Sequence, residues 1–231
     1  MDEDRALSLG FFPDRARGAG LALSRFFAEA AAIPSRVTEP MMGAIRVQWW
    51  REALSEVFEG GPVRAHPLVR ALAATADSSD RPTMEAALDA VAPFLAPREG
   101  DGAPQEAFAP FEGAAMARLG TRLAADADGV RLGQMGTAHA LARTLALLHV
   151  PARTIAIETP AQRIARTLSK ERPSFARDSI RIARAGGDKP LGDALPAALP
   201  FALADAYARG RRPGPLAKRW ALTRAMLHGR V

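Results

Sequence analysis

Pro40-Met41-Met42-Gly43-Ala44-Ile45-Arg46-Val47-Gln48-Trp49-Trp50-Arg51-Glu52-Ala53-Leu54-Ser55-Glu56-Val57-Phe58-Glu59 is the stretch whose reading decides the fold. It opens on a proline, whose missing N–H costs nothing in a first helical turn. Thr38 and Glu39 stand ahead of it as a capping hydroxyl and a carboxylate near the positive helix end. It closes on Gly60-Gly61-Pro62, which stops a helix. At about 100° per residue, Met42, Ile45, Trp49, Ala53 and Val57 share one face, with Arg46 and Trp50 at its edge. The pattern predicts an amphipathic helix over 40–59, largely buried because two tryptophans dominate any core they enter.

Arg46 and Trp50 are neighbours at i and i+4, which leaves two readings open. One is a core helix whose guanidinium lies over an indole ring. The other turns Arg46 to the interior, where it holds an anion. Burying it unpaired would cost several kcal/mol, so it needs an acid, a ring or a ligand. Glu29 is the candidate acid. On either reading Arg46 should matter more than Arg51, which lies on the opposite side of the helix.

Outward from this helix, apolar residues recur at helical spacing over about 14 to 32, 66 to 77, 83 to 96, 105 to 127, 134 to 149, 160 to 185 with a break near Pro173, 191 to 209, and 215 to 229. Alternating runs rich in Val, Ile and Thr are absent, so a sheet has little to be built from. Breaks fall at clusters such as Pro97-Arg98-Glu99-Gly100-Asp101-Gly102 and Gly210-Arg211-Arg212-Pro213-Gly214-Pro215. No stretch reads as a linker and no repeat is visible. The expectation is one all-α domain over residues 1–231.

A chain of 231 residues can bury roughly 70% of its unfolded surface, which needs no staples. Having no cysteine, it has no disulfides, thiolate zinc sites or cysteine nucleophiles. Met1-Asp2-Glu3-Asp4-Arg5 lacks the basic and apolar regions of a secretory signal, and arginines interrupt every alanine-rich run. This leads to the expectation of a bacterial-type cytoplasmic protein, at most peripheral to the inner face of the membrane.

The net charge of +6 is nearly all arginine, lysine occurring only at Lys170, Lys189 and Lys218. Basic stripes with interleaved aromatics are missing, so nucleic acid is not an expected partner. The C-terminal third is the most basic part, with Arg209, Arg211, Arg212, Lys218, Arg219, Arg224 and Arg230 in succession. A solvated face or an anionic membrane surface would account for it.

Ala22-Leu23-Ser24-Arg25-Phe26-Phe27-Ala28-Glu29, the Glu39 to Leu54 run with its paired tryptophans, and His66-Pro67-Leu68 resemble the N-terminal half of the squalene/phytoene synthase family. The likeness resumes in Gly136-Thr137-Ala138-His139-Ala140-Leu141-Ala142-Arg143, which looks like the family's second substrate helix. It is weaker in Ala194 to Pro200 and Leu216 to Arg230. The resemblance implies an isoprenoid-synthase helical bundle around a central cavity, whose active members join two isoprenyl diphosphates. That chemistry needs Mg²⁺ held by carboxylates at i and i+4 on facing helices.

The sequence departs from that demand. Where active relatives carry the first aspartate-rich motif stand Ala31-Ala32-Ile33-Pro34-Ser35, with Glu29 a turn earlier. Leu147 and Pro151 fall at the second pair, with Ala140 and Arg143 at contact positions, and no acid occurs between Gly129 and Ile157. The acid pairs at i, i+4 are Glu52/Glu56 and Glu85/Asp89, which read as solvated faces. His66, His139, His149 and His228 lack metal-pair spacing. His66 reads as a helix entry and His139 as part of a packing surface. Gly18-Ala19-Gly20 follows no strand, so it is no dinucleotide turn.

Phe26-x-x-Glu29, the Thr38-Glu39 start and Gly43-x-x-Arg46-x-Gln48-x-Trp50 resemble the branch of the family that acts in assembly of respiratory complex I, whose members also lack the aspartates. The resemblance thus implies a non-catalytic protein with no cofactor and no metal, an isoprenoid or lipid ligand or respiratory complex subunits as partners, and work near the membrane. The alternative is a divergent Mg²⁺-dependent prenyltransferase. Candidate ligand or cavity residues are Arg17, Glu29, Arg46, Trp50, His139 and Arg143.

Overall fold

Pro13 ends the opening turns and Asp14 begins the helix around which the N-terminal half is packed. The computed structural model describes residues 3–95, 109–148, 170, 174–186 and 190–231, and among these no strand occurs. A short helix α1 (Glu3–Ser8) leads through a 3₁₀ turn into α2 (Asp14–Ala32). Then come α3 (Pro40–Glu59), α4 (Pro67–Thr75), α5 (Arg81–Asp89) and α6 (Ala92–Leu95). A π-helical turn over Ala109–Gly113 runs into α7 (Ala114–Leu123), followed by α8 (Gly129–Leu148) and α9 (Phe175–Ala185). The last part comprises α10 (Leu195–Ala198), α11 (Ala204–Ala208) and α12 (Pro215–His228).

The expected bounds of α2 and α3 coincide with the structure, because Pro13, Pro40 and Gly60 punctuate them unambiguously. Gly60 takes a left-handed φ of 83°, which a side chain would resist. The expected helix over 83–96 divides instead into α5 and α6, since Pro93 removes a donor and crowds the preceding turn. α8 starts earlier than expected, at Gly129, because the Asp128 carboxylate accepts the Arg131 backbone N–H at 3.0 Å and caps it. Pro196 and Pro200 break the expected 191–209 helix into short α and 3₁₀ pieces. The break expected near Pro173 lies outside the described residues.

Two hydrophobic clusters make the core among the described residues. In the first, α2 packs against α4, α5 and α7 through Phe26, Phe27, Trp50, Leu54, Leu72, Met84 and Leu88. In the second, α8 packs against α7, α9 and α11 through Leu132, Met135, Leu141, Phe175, Ile180 and Phe201. α7 joins them, giving Ala115 and Leu119 to one and Met116 to the other. α8 reaches α7 closely because Gly136 has no side chain: a Cβ there would strike the Glu112 carbonyl and sit 2.9 Å from the Met116 Cβ.

α3 is rotated from its expected orientation. Its buried stripe is Gly43, Val47, Trp50, Ala53 and Leu54, while Met41, Met42, Ile45 and Arg46 are exposed. Both sides of its first turns are apolar, so periodicity alone could not choose between them. Ring packing and a close approach do. Trp50 meets Phe26 edge to face at 5.4 Å, and Gly43 makes room for Leu95 against the backbone. Trp49, half-buried, lies beneath the Arg64 guanidinium at 4.7 Å. The cation–ring stacking foreseen for Arg46 is therefore made by Arg64, which also pairs with Glu56 at 2.6 Å.

The corner between α4 and α5 is held by charge. Asp80, fully buried, joins a capping box with Asp77 and accepts from Arg118 at 2.5 Å and from Arg122, which binds this corner to α7. Glu52 and Glu56 converge on Arg64, Glu85 pairs with Arg81 and Asp89 with Arg51. Both acid pairs noted in the sequence are thus neutralised by arginines at or near the surface.

Candidate functional site: a buried carboxylate against α8

α8 turns His139 and Arg143, one helical turn apart, toward α1 and the π-helical turn. His139 and Asp4 are each about 1% exposed. The His139 Nε2 lies 3.0 Å from Asp4 Oδ2, and the Tyr207 hydroxyl from α11 donates to the same oxygen at 2.7 Å. Lys218 on α12 places its Nζ 2.8 Å from Asp4 Oδ1 and 2.5 Å from Glu3 Oε2. An ionised carboxylate only accepts, so the imidazole presents its Nε2–H and Tyr207 its hydroxyl to Oδ2, while Lys218 pairs with Oδ1 through its charge. Four helices distant in sequence are pinned at this point.

Burial by itself would raise the Asp4 carboxyl, but the hydrogen bond and charge of His139, then Lys218 and Tyr207, outweigh it and hold it below its usual range. Burial pushes the Tyr207 hydroxyl up, and its bond to Asp4 adds to this. Burial would lower the Lys218 ammonium, yet Asp4 and Glu3 together raise it well above its ordinary value.

One turn along α8 a second carboxylate repeats the pattern. Arg5 donates to Glu112 Oε2 at 2.5 Å and to the Glu112 carbonyl at 3.4 Å, while Arg143 lies 3.7 Å from Glu112 Oε1. His139 and Arg143 of α8 are therefore engaged by acids of this chain. A cleft of about 340 Å³ lies elsewhere, between the α7–α8 turn and residues 190–194, lined by Asp126, Asp128, Arg131 and Asp193 among others.

The structure brings His139 and Arg143 together and separates the other candidates. Arg17 is exposed, pairs with Asp14 at 2.8 Å, and donates to the Leu9 and Phe12 carbonyls at 3.3 and 3.0 Å, fixing the turn before α2. Glu29 pairs with Arg36 at the surface, not with Arg46. Trp50 is part of the first core cluster. Asp4, Arg5, Glu112, Tyr207 and Lys218 escaped sequence reasoning. Tyr207 had one signal to offer, as the only tyrosine in the chain.

The sequence model of squalene/phytoene synthase matches residues 1–143. The chain belongs to the squalene/phytoene synthase family. The match runs from α1 through most of α8, so Asp4, Glu112, His139 and Arg143 lie inside it and Tyr207 and Lys218 beyond it. The all-helical architecture agrees with the isoprenoid-synthase-like bundle of that family. No curated protein and no solved structure matches the chain.

The family's chemistry asks for Mg²⁺ on carboxylates at the end of α2 and across from it. At the end of α2, Ala30 and Ile33 are buried, the Ser35 hydroxyl donates to the Ala32 carbonyl at 2.9 Å, and Glu29 is engaged by Arg36. Among the described residues no group of three or more His, Asp or Glu is arranged to hold a metal. Pro151 and the Leu147 side chain lie outside those residues. The end of α2 does not fit a magnesium–diphosphate group, and no magnesium-borne step follows from it.

Proposed function

We propose that this family member does not join isoprenyl diphosphates and acts by binding, as an assembly protein of the respiratory complex I type or as an isoprenoid- or lipid-binding protein at a membrane. One observation carries the reading. Where an active site would present carboxylates, α2 ends in Ala30, Ala31 and Ala32 with Ile33 after it, and its last acid, Glu29, is engaged by Arg36 at the surface. Diphosphate without a neutralising metal is a poor leaving group, so such a site would hold a chain or a partner more readily than ionise a substrate. The pairing of His139 with Asp4 and of Arg143 with Glu112 adds support, since these groups already have partners within the protein.

The test is pyrophosphate release. Purified protein with Mg²⁺ and farnesyl or geranylgeranyl diphosphate should release no more pyrophosphate than a boiled control. Turnover that chelator abolishes would instead establish a divergent prenyltransferase. Mass analysis of small molecules that co-purify with the native protein should detect an isoprenoid or lipid if that is the bound species.

A further inference from the structure

α12 carries a row of large apolar side chains in solvent. Leu216, Trp220 and Leu227 are 81%, 68% and 78% exposed. Their spacing of four and seven residues sets them within one narrow sector of the helix surface. Arg219 borders that sector on one side and Arg224 on the other, both exposed. The opposite sector, Leu222 and Ala225, is buried in the second core cluster. The helix is thus seated by one face and offers the other.

Charge selects the occupant. After Asp205 the sequence contains no acid to its end, while Arg209, Arg211, Arg212, Arg219, Arg224 and Arg230 are all exposed there. Lys218 does not contribute outward, since Glu3 and Asp4 engage it. A tryptophan and two leucines between arginines match the boundary of an anionic bilayer, where apolar groups enter the acyl region and guanidiniums meet lipid phosphates. A nucleic acid would use the arginines and leave both leucines in water.

The helix is also formed in advance. Pro215 starts it, and Gly229, left-handed at φ 66°, ends it with its N–H bonded to the Met226 carbonyl and the Arg230 N–H to the Ala225 carbonyl at 3.2 Å. Docking would therefore incur little ordering cost, unlike that of peptides that fold on the membrane.

We propose that the outer face of α12, centred on Leu216, Trp220 and Leu227, docks the protein on anionic lipid bilayers. The proposal rests on the reading above only for the location at a membrane; vesicle binding and pyrophosphate release are separate measurements and can fail separately.

The experiment is sedimentation of the full chain with phosphatidylcholine vesicles, with and without 30% phosphatidylglycerol (about the anionic content of a charged leaflet), read alongside tryptophan emission. Binding should require the anionic lipid, weaken with salt, and shift the emission to the blue, a shift absent in Trp220→Phe. Arg219→Gln and Arg224→Gln should each weaken binding about fivefold. Leu216→Ser combined with Leu227→Ser should abolish it while leaving the far-ultraviolet helical signal unchanged. Binding that survives the leucine pair, or no binding to anionic vesicles, would overturn the proposal. So would a dimer that Trp220→Ser dissociates, which would give the face to a second copy.

Discussion

The Tyr207 hydroxyl lies 2.7 Å from the Asp4 carboxylate, a hydrogen bond between residues 203 positions apart, buried where α1 meets α11. His139 and Lys218 share that carboxylate, so removing it leaves His139 and Tyr207 without their acceptor and Lys218 with Glu3 alone. Asp4→Ala should lower the unfolding free energy by about 3–5 kcal/mol, the range for breaking a buried charged pair. Chemical denaturation at neutral pH measures it. A loss within 1 kcal/mol (the usual worth of an exposed pair) would mean that water replaces the carboxylate.

The same cluster sets a pH profile. Asp4 is depressed in the folded protein, so its contribution is present above the unfolded value near 4 and is lost as pH falls through its lower folded value. Tyr207 and Lys218 are raised, so the folded state retains protons that the unfolded state releases above about pH 10, and stability falls as pH rises further. The stability gap between wild type and Asp4→Asn should be wide at pH 7 and narrow toward about pH 3. Thermal melts across that range read it, and a constant gap would contradict the assignment.

The rotation of α3 removes the advantage expected for Arg46 over Arg51, since both are exposed. Arg46 is exposed, so Arg46→Ala should change stability by no more than about 0.5 kcal/mol. Asp80→Ala should cost about 3 kcal/mol, since the buried carboxylate joins the α4–α5 corner to Arg118 and Arg122 and closes a capping box. Paired melts of the two variants test the contrast.

Gly136→Ala places a methyl group against the Glu112 backbone and Met116, where neither can yield without separating α7 from α8. A loss of about 1–3 kcal/mol should follow. Glu112 also holds Arg5 and, more distantly, Arg143, so the near-ultraviolet circular dichroism from the Tyr207 and His139 neighbourhood should change as well.

Helix positions were legible where proline and glycine stood at the ends, as at Pro40 and Gly60, and where Pro67 follows His66 to start α4. The family was legible too, because the Glu39 to Leu54 run keeps its spacing. The burial of α3 was not: Met42, Ile45 and Trp49 form as good a stripe as Val47, Trp50 and Leu54, and only the partners Phe26 and Leu95 decide between them. His139 was seen as a packing residue, yet its acceptor could not be, since a hydrogen bond across 135 residues leaves no local periodicity. Asp4 read as part of an acidic terminus because burial is a property of what arrives later in the chain.

Asp4 is synthesised 203 residues ahead of Tyr207. At typical elongation rates the interval is roughly 10–40 s. Until it has passed, the Asp4 carboxylate has His139 but neither Tyr207 nor Lys218 to hold it, while α2 to α5 can already condense around Phe26 and Trp50. Completion of the Asp4 cluster is therefore a late, long-range event of the kind that slows folding, and a ribosome-bound chain stopped before Tyr207 would lack the two C-terminal donors that seat α1.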